Sequence, residues 1–327
     1  INTTGADMTL ELLSNKIDHG DIEVPHFQRG NVWPMTKASK LIESFLLGLP
    51  VPQIFLYQEP GTQKLLVVDG QQRLMSIHDF FNGRYKGKEF RLSGIESQWN
   101  GKTFSELSDS DKRRFRNITL RSTIFEQVDP SDDTSIFEVF ERLNTGGMSL
   151  NAQEVRNAVI GGDLNILTKE LNTNPSWMFL NNKKSADARY KDIEMVLRLV
   201  ALDDSYETYK KPMGNYLNEY LSKHKVLTDD RKSEIKDSFN DTIELIKDNF
   251  GANAFKLKTS VNAALADAIF VGISRSKHNL KNDLTAAYKE LIQDVDFIDT
   301  LEQSTTNNDK VYKRINMAIQ AFSNEVR

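Results

Sequence analysis

The residues best suited to hold an anion lie between Lys64 and Phe81, where the apolar run KLLVVD ends in Asp69. The chain then turns on Gly70 and enters helical spacing through Gln71, Gln72 and Arg73. A helix N-terminus offers free N–H groups and the positive end of the peptide dipole, so it attracts phosphate. Gly70 lets backbone approach closely, Arg73 can present a planar fork to phosphate oxygens, and Asp69 can hold a divalent ion or orient a water. The same order of strand, Asp, Gly and helix also makes an ordinary tight turn with capping. Residue types alone leave both readings open.

Two further segments carry polar groups at places where loops end. FQRGNVWP, Phe27 to Pro34, sets Arg29 between Phe27 and Trp33 on a loop bounded by Gly30 and Pro34. Arg29 could reach phosphate while the aromatics stack on a base or wall a pocket. Equally, the aromatics could anchor the loop into the core and Arg29 could form an ion pair. The segment from Phe137 to Arg156 reads FEVFERLNTGGMSLNAQEVR. Gly146 and Gly147 stop one helix, and Asn151 with Glu154 restarts another. A structural helix–turn–helix explains that spacing and leaves Arg142, Asn144, Glu154 and Arg156 without a task.

Several chemistries are excluded. Gly87-Lys88 and Gly101-Lys102-Thr103 have no glycine at the phosphate-loop distance, because Gly83 is one residue too near and position 96 is Glu96. The five histidines form no HExxH and no paired metal-ligand spacing. Nothing beside His278-Asn279 builds a His-Asn-His nuclease centre. With no cysteine there is neither disulfide nor thiolate metal site, which fits a reducing, cytoplasmic address.

The elements that must position these residues follow from periodicity. Leu10, Leu12, Leu13 and Ile17 predict a first helix over residues 7–19, and TKASKLIESFLLG predicts a second from Thr36, ended by Gly48 and Pro50. QIFLYQ and KLLVVD flank EPGTQ as a hairpin, and QRLMSIHDFFNG returns to helical spacing. A strand near KEFRLS, a helix in SELSDSDKRRF and a long strand in ITLRSTIFEQV follow. Beyond about residue 130 the pattern is helical nearly throughout, with loops at 172–176 and 203–214. The expected class is α+β: a mixed domain over residues 1–160, then a mainly α-helical domain over 161–327.

The chain has 39% hydrophobic and 27% charged residues, a folding composition, and a formal net charge of −4. That charge argues against coating nucleic acid through bulk electrostatics and leaves only local patches. The densest is Lys112, Arg113, Arg114, Arg116 and Arg121, which also reads as a solvated helix face. No run approaches the roughly 18 apolar residues of a membrane span, and the N-terminal residues lack a signal-peptide pattern.

Taken together, FQRGNVWP, KLIESFLLGLPVPQIFLY, VVDGQQRL and FERLNTGGMSLNAQEVRNAVIGG resemble the N-terminal domain of GmrSD-type, modification-dependent restriction enzymes. That domain is related in fold to ParB and sulfiredoxin. The resemblance covers roughly residues 8–163, with DGQQR as its signature, and RYKDIEMVLRLVAL is similar to the helical extension usual in the family. It implies binding, often hydrolysis, of a nucleoside triphosphate with Mg2+, coupling DNA sensing to restriction in phage defence. By match, Asp69, Gln72 and Arg73 are the hydrolysis residues, with Asp69 the metal ligand. Gly70 and Gln71 contact phosphate, Gln28 and Arg29 line the same pocket or a DNA-sensing cavity, and Arg142 and Asn144 complete the pocket.

The family's full-length members continue into a nuclease domain with a His-containing motif. Residues 164–327 carry none, so this chain is not expected to cut DNA alone. The partners implied are modified or foreign DNA, held weakly by this chain, and a nuclease. Homo-oligomerisation is compatible with the sequence, and no membrane is expected. The competing reading is a non-catalytic module that senses nucleotide or DNA and regulates a partner nuclease.

Overall fold

Alternation along KLLVVD sends Leu65 and Val67 to one face of a strand and Leu66 and Val68 to the other. All four are buried in the computed structural model, so this strand belongs to a sheet covered on both faces. The structure describes residues 1–24, 33–59, 61–127, 134–143, 151–183, 185, 187 and 190–324. Two units divide the chain, Ile1–Asn151 and Ala152–Arg327.

In the first unit the order is β1 (Asn2–Thr9), α1 (Leu10–Asp18), β2 (Ile22–Glu23), α2 (Met35–Leu47), β3 (Ile54–Gln58), β4 (Leu65–Asp69) and α3 (Gln71–Phe81). The short pair β5 (Arg84–Tyr85) and β6 (Lys88–Glu89) follows, then α4 (Asp109–Asn117), β7 (Thr119–Glu126) and α5 (Thr134–Leu143). The five-stranded sheet runs β1-β7-β3-β4-β2. β1 is antiparallel to β7 and β3 to β4, while β3 with β7 and β2 with β4 are parallel.

One face of this mixed sheet carries four helices. Leu13 of α1, Ile42 and Phe45 of α2, Leu74, Ile77 and Phe80 of α3 and Phe115 of α4 share a core with Leu56, Val67 and Leu120. On the opposite face Phe140 of α5 stands on Tyr57 and Phe125, with ring centroids 6.3 and 6.1 Å apart.

The region expected to start the first helix is partly strand. NTTGADMT buries only Met8, so it shows no alternation, and eight cross-strand pairs with β7 hold it extended. The helix begins instead at Leu10, where the Thr9 hydroxyl accepts from Leu12 N–H at 3.2 Å. Of the strand expected in KEFRLS, only Lys88–Glu89 forms.

The second unit is helical among its described residues: α6 (Ala152–Val159), α7 (Asp163–Leu171), α8 (Pro175–Leu180), α9 (Lys191–Ser205), α10 (Met213–Lys223), α11 (Asp229–Phe250), α12 (Ala263–Ser276), α13 (Leu284–Leu291), α14 (Val295–Glu302) and α15 (Asn308–Phe322). The expected loop at 172–176 already contains the start of α8, where Asn174 accepts from Ser176 and Trp177 N–H. Fully buried Asp267 of α12 receives hydrogen bonds from Arg198 and from buried Arg314. The two units meet at 151/152, and α6 is fastened to the second. Arg156 Nε donates to Asn218 at 2.7 Å and Nη1 to Glu194 at 2.8 Å. That bonding also supplies Arg156 with the structural task its sequence context lacked.

Gly70 has φ 96° and ψ 9°, and a Cβ there would lie 2.3 Å from Ile54 Cγ2. Gly70→Ala is expected to cost about 2–4 kcal/mol, adding a strained left-handed residue to an overpacked contact. Urea unfolding measures this directly. A loss below about 0.5 kcal/mol, the scale of surface substitutions, would show that the turn is not so constrained.

His78 of α3 bonds Asp18 at the end of α1, Nε2 to Oδ1 at 2.9 Å, and its Nδ1 lies 3.6 Å from Asp79. Asp79 and then Asp18 raise its pKa above 6.5, outweighing burial. A raised folded value means the stabilisation is complete below pH 6.5 and fades as pH rises through the folded pKa. An NMR titration of His78 should show a midpoint above 6.5 that falls in Asp18→Asn. A midpoint at or below 6.5 in the wild type would contradict this.

Candidate functional site

Helix α3 starts directly after β4, so the Gly70 turn places the last strand residue beside the first helical turn. Arg73 folds back across it. Its Nη2 donates to Asp69 Oδ2 at 2.7 Å and to the Gln53 carbonyl at 3.0 Å. Gln53 in turn accepts from the Thr123 hydroxyl of β7 through its side-chain oxygen at 3.3 Å. The guanidinium is therefore tied to the ends of neighbouring strands and is only 16% exposed, while Asp69 is 41% exposed. Arg73 Nε is buried with no hydrogen-bond partner, an uncommon state for a cationic donor that a bound anion or water would relieve. The helix cap is Gly70, which supplies no side-chain acceptor to the first turn.

Gln72 has a holding role. Its Oε1 accepts from Trp33 N–H at 3.1 Å, and Tyr85 donates its hydroxyl to the Trp33 carbonyl at 2.7 Å. Burial first, then Asp79, pushes the Tyr85 phenol up to about 12, so it stays a donor. Lys37 Nζ lies 4.5 Å from the centre of the Trp33 ring. The end of FQRGNVWP is thereby pinned against the DGQQR turn. Gln28 and Arg29, earlier in that loop, lie outside the described residues, as does Asn144. Arg142 is exposed near the end of α5, a helix on the sheet face opposite α3. The described residues thus bring together Asp69, Gly70, Gln72, Arg73 and Trp33, together with Gln53, Thr123 and Tyr85.

Those last three had no sequence signal. Gln53 and Thr123 reach the site only through strand pairing, and Tyr85 only by the return of the chain after α3. Sheet register, not local spacing, selects them.

Among the described residues no three Asp, Glu or His side chains gather to hold a metal ion. Among the described residues Asp69 supplies the one carboxylate at the turn, a donor that fits a magnesium ion held mainly by waters and phosphate oxygens. In the basic patch, Arg116 lies 3.4 Å from Glu11 and packs over Phe104, and Lys112 is 4.0 Å from Asp109. Arg113, Arg114 and Arg121 are exposed. No helix among the described residues is long and apolar enough to cross a membrane.

No curated protein matches the chain. Residues 9–161 match the family model of the GmrSD restriction endonuclease, N-terminal domain. The DGQQR turn, the strands that hold Arg73 and the Trp33 anchor all fall inside that match, which identifies residues 9–161 as a GmrSD restriction endonuclease N-terminal domain.

Proposed function

We propose that the chain is the nucleotide-binding component of a DNA restriction or phage-defence system, and that nucleoside triphosphate phosphates bind at Asp69 to Arg73. The observation that carries this reading is Arg73 itself, a guanidinium pre-positioned by Asp69 and Gln53 at an uncapped helix start, with one buried N–H left unpaired. Such a donor loses little freedom on meeting a phosphate. We also place the sheet unit among ParB/sulfiredoxin-like folds, on the family resemblance of its motifs.

In this reading Arg73 and the α3 N-terminus stabilise charge on the phosphoryl oxygens, and Gln71 adds polar contacts. Gln72 keeps the Trp33 loop end in place over the turn. Asp69 holds Arg73 and, when magnesium accompanies the nucleotide, supplies its protein ligand. The metal would neutralise phosphate charge. Gln28, Arg29, Arg142 and Asn144 remain the residues that would complete the pocket. DNA, met weakly through local patches such as Arg113 and Arg121, and a separate nuclease are the partners this role requires.

A second reading keeps the binding and drops the turnover. The Asp69–Arg73 pair favours it, because a carboxylate already committed to an arginine is a poor sole organiser of hydrolysis. The chain would then be a sensor that regulates the nuclease.

Calorimetry with ATP and GTP plus Mg2+, and phosphate release with and without DNA, separate these readings. Arg73→Ala should weaken binding and, if turnover exists, slow it by roughly 10³. Asp69→Asn should reduce both, because it also releases Arg73. Circular dichroism must first show both variants folded. Absence of binding and of phosphate release in the wild type would defeat the nucleotide proposal. Binding with no turnover would establish the sensor.

A further inference from the structure

The helical unit contains a cavity of about 260 Å3 between α9, α10, α11 and α12. Its apolar wall is Val200, Ile235, Phe239 and Phe270, the two phenylalanine rings 5.4 Å apart. Its polar wall is a set of charges that are nearly all paired. Arg231 bonds Asp204 and Glu234. Tyr220 donates its hydroxyl to Asp204 at 3.1 Å.

Asp203 is the least satisfied of them, with an ion pair to Arg275 but one oxygen left without a hydrogen bond. One oxygen, Oδ2, accepts from Ser274 at 2.9 Å, while Oδ1 is buried without a hydrogen bond. Arg275 Nε stands 3.6 Å from Oδ1, and Arg275 Nη2 is spent on the Asp204 carbonyl at 3.1 Å. The lining holds three carboxylates, Asp203, Asp204 and Glu234, against two guanidiniums, Arg231 and Arg275. One negative charge is therefore left over, beside an apolar wall.

We propose that this cavity binds an aliphatic ammonium ion, with Asp203 as its counter-ion and the phenylalanine wall as the seat of its alkyl chain. An ammonium donates three hydrogen bonds, enough for the Asp203 carboxylate and the neighbouring Ser238 hydroxyl that lines the same space. A metal ion is a worse match, because Asp204 and Glu234 are already taken by Arg231 and no metal-holding group occurs among the described residues. The volume lies below the usual range for drug-sized ligands, about 300–1,000 Å3, so the ligand is small. A free amine and the lysine side chain of a partner protein share this chemistry.

Burial raises the Asp203 carboxyl to about 6, with Ser274, Arg275 and Lys277 pulling it down and Asp204 pushing it up. Tyr220 on α10 and Arg231 and Glu234 on α11 complete the charged surroundings. Only the ionised form serves as counter-ion, so affinity should rise with pH through about 6 and level off above 7.

The test titrates the full chain by calorimetry with n-pentylammonium and, separately, with Nα-acetyl-lysine N-methylamide. Saturable binding is expected at pH 7.5, weaker by about tenfold at pH 5, as ionisation of a group with that pKa requires. Asp203→Asn should lose binding while keeping its melting temperature. The tighter of the two probes identifies the source as free amine or lysine. No binding of either probe up to about 10 mM would overturn the proposal. So would unchanged binding by Asp203→Asn. Should that variant fail to fold, a flat wild-type pH profile would overturn it equally.

Discussion

The first unit depends on one close approach, that of the Gly70 backbone to Ile54. Strand β4 must end, reverse its hydrogen bonding and become α3 without losing contact with β3. Only a residue without Cβ can pass where Ile54 Cγ2 already stands. The left-handed conformation at Gly70 then aims the first turn of α3 back across the strand ends, which brings Arg73 within reach of both Asp69 and the Gln53 carbonyl. The glycine of DGQQR is thus explained by packing before any ligand is considered.

From that turn, α3 distributes constraint in two directions. Its inner face, Leu74, Ile77 and Phe80, enters the core, where Phe80 makes edge contacts with Phe90, Phe104 and Phe115 at 5.3 to 5.8 Å. Such aromatic contacts add about 0.5–1.5 kcal/mol each beyond burial. Its outer face ties the site's surroundings together through Gln72 to Trp33 and through His78 to Asp18. A rigid inner face is what lets short polar side chains on the outer face hold neighbouring segments in register.

Legibility in the sequence followed the strength of local pattern. The β3–β4 hairpin, α2 with its Gly48 stop, α3 and β7 could be read because each carries its own period and punctuation. β1 could not, since its polar residues are ordered only by pairing with β7. In the second unit α11 and α15 were visible as amphipathic stripes. Helix α12 is buried around nearly its whole circumference, and short helices such as α8 offer too few turns for a period to emerge. At the site, the motif exposed Asp69 to Arg73, but Gln53, Thr123 and Tyr85 arrive through sheet register and chain return, for which no spacing rule exists.

The roles within DGQQR also differ from a simple list of phosphate ligands. Asp69 and Gln72 each already hold another protein group, Arg73 in one case and the Trp33 N–H in the other. A side chain that positions a ligand-binding group need not touch the ligand, and its loss still disperses the geometry. Arg73 alone combines limited exposure, two fixed acceptors and an unpaired buried donor. Leaving such a donor unsatisfied costs about 1–3 kcal/mol, which the fold bears in holding Arg73 across the turn. The unpaired Nε therefore weighs more in locating the site than the number of polar residues around it.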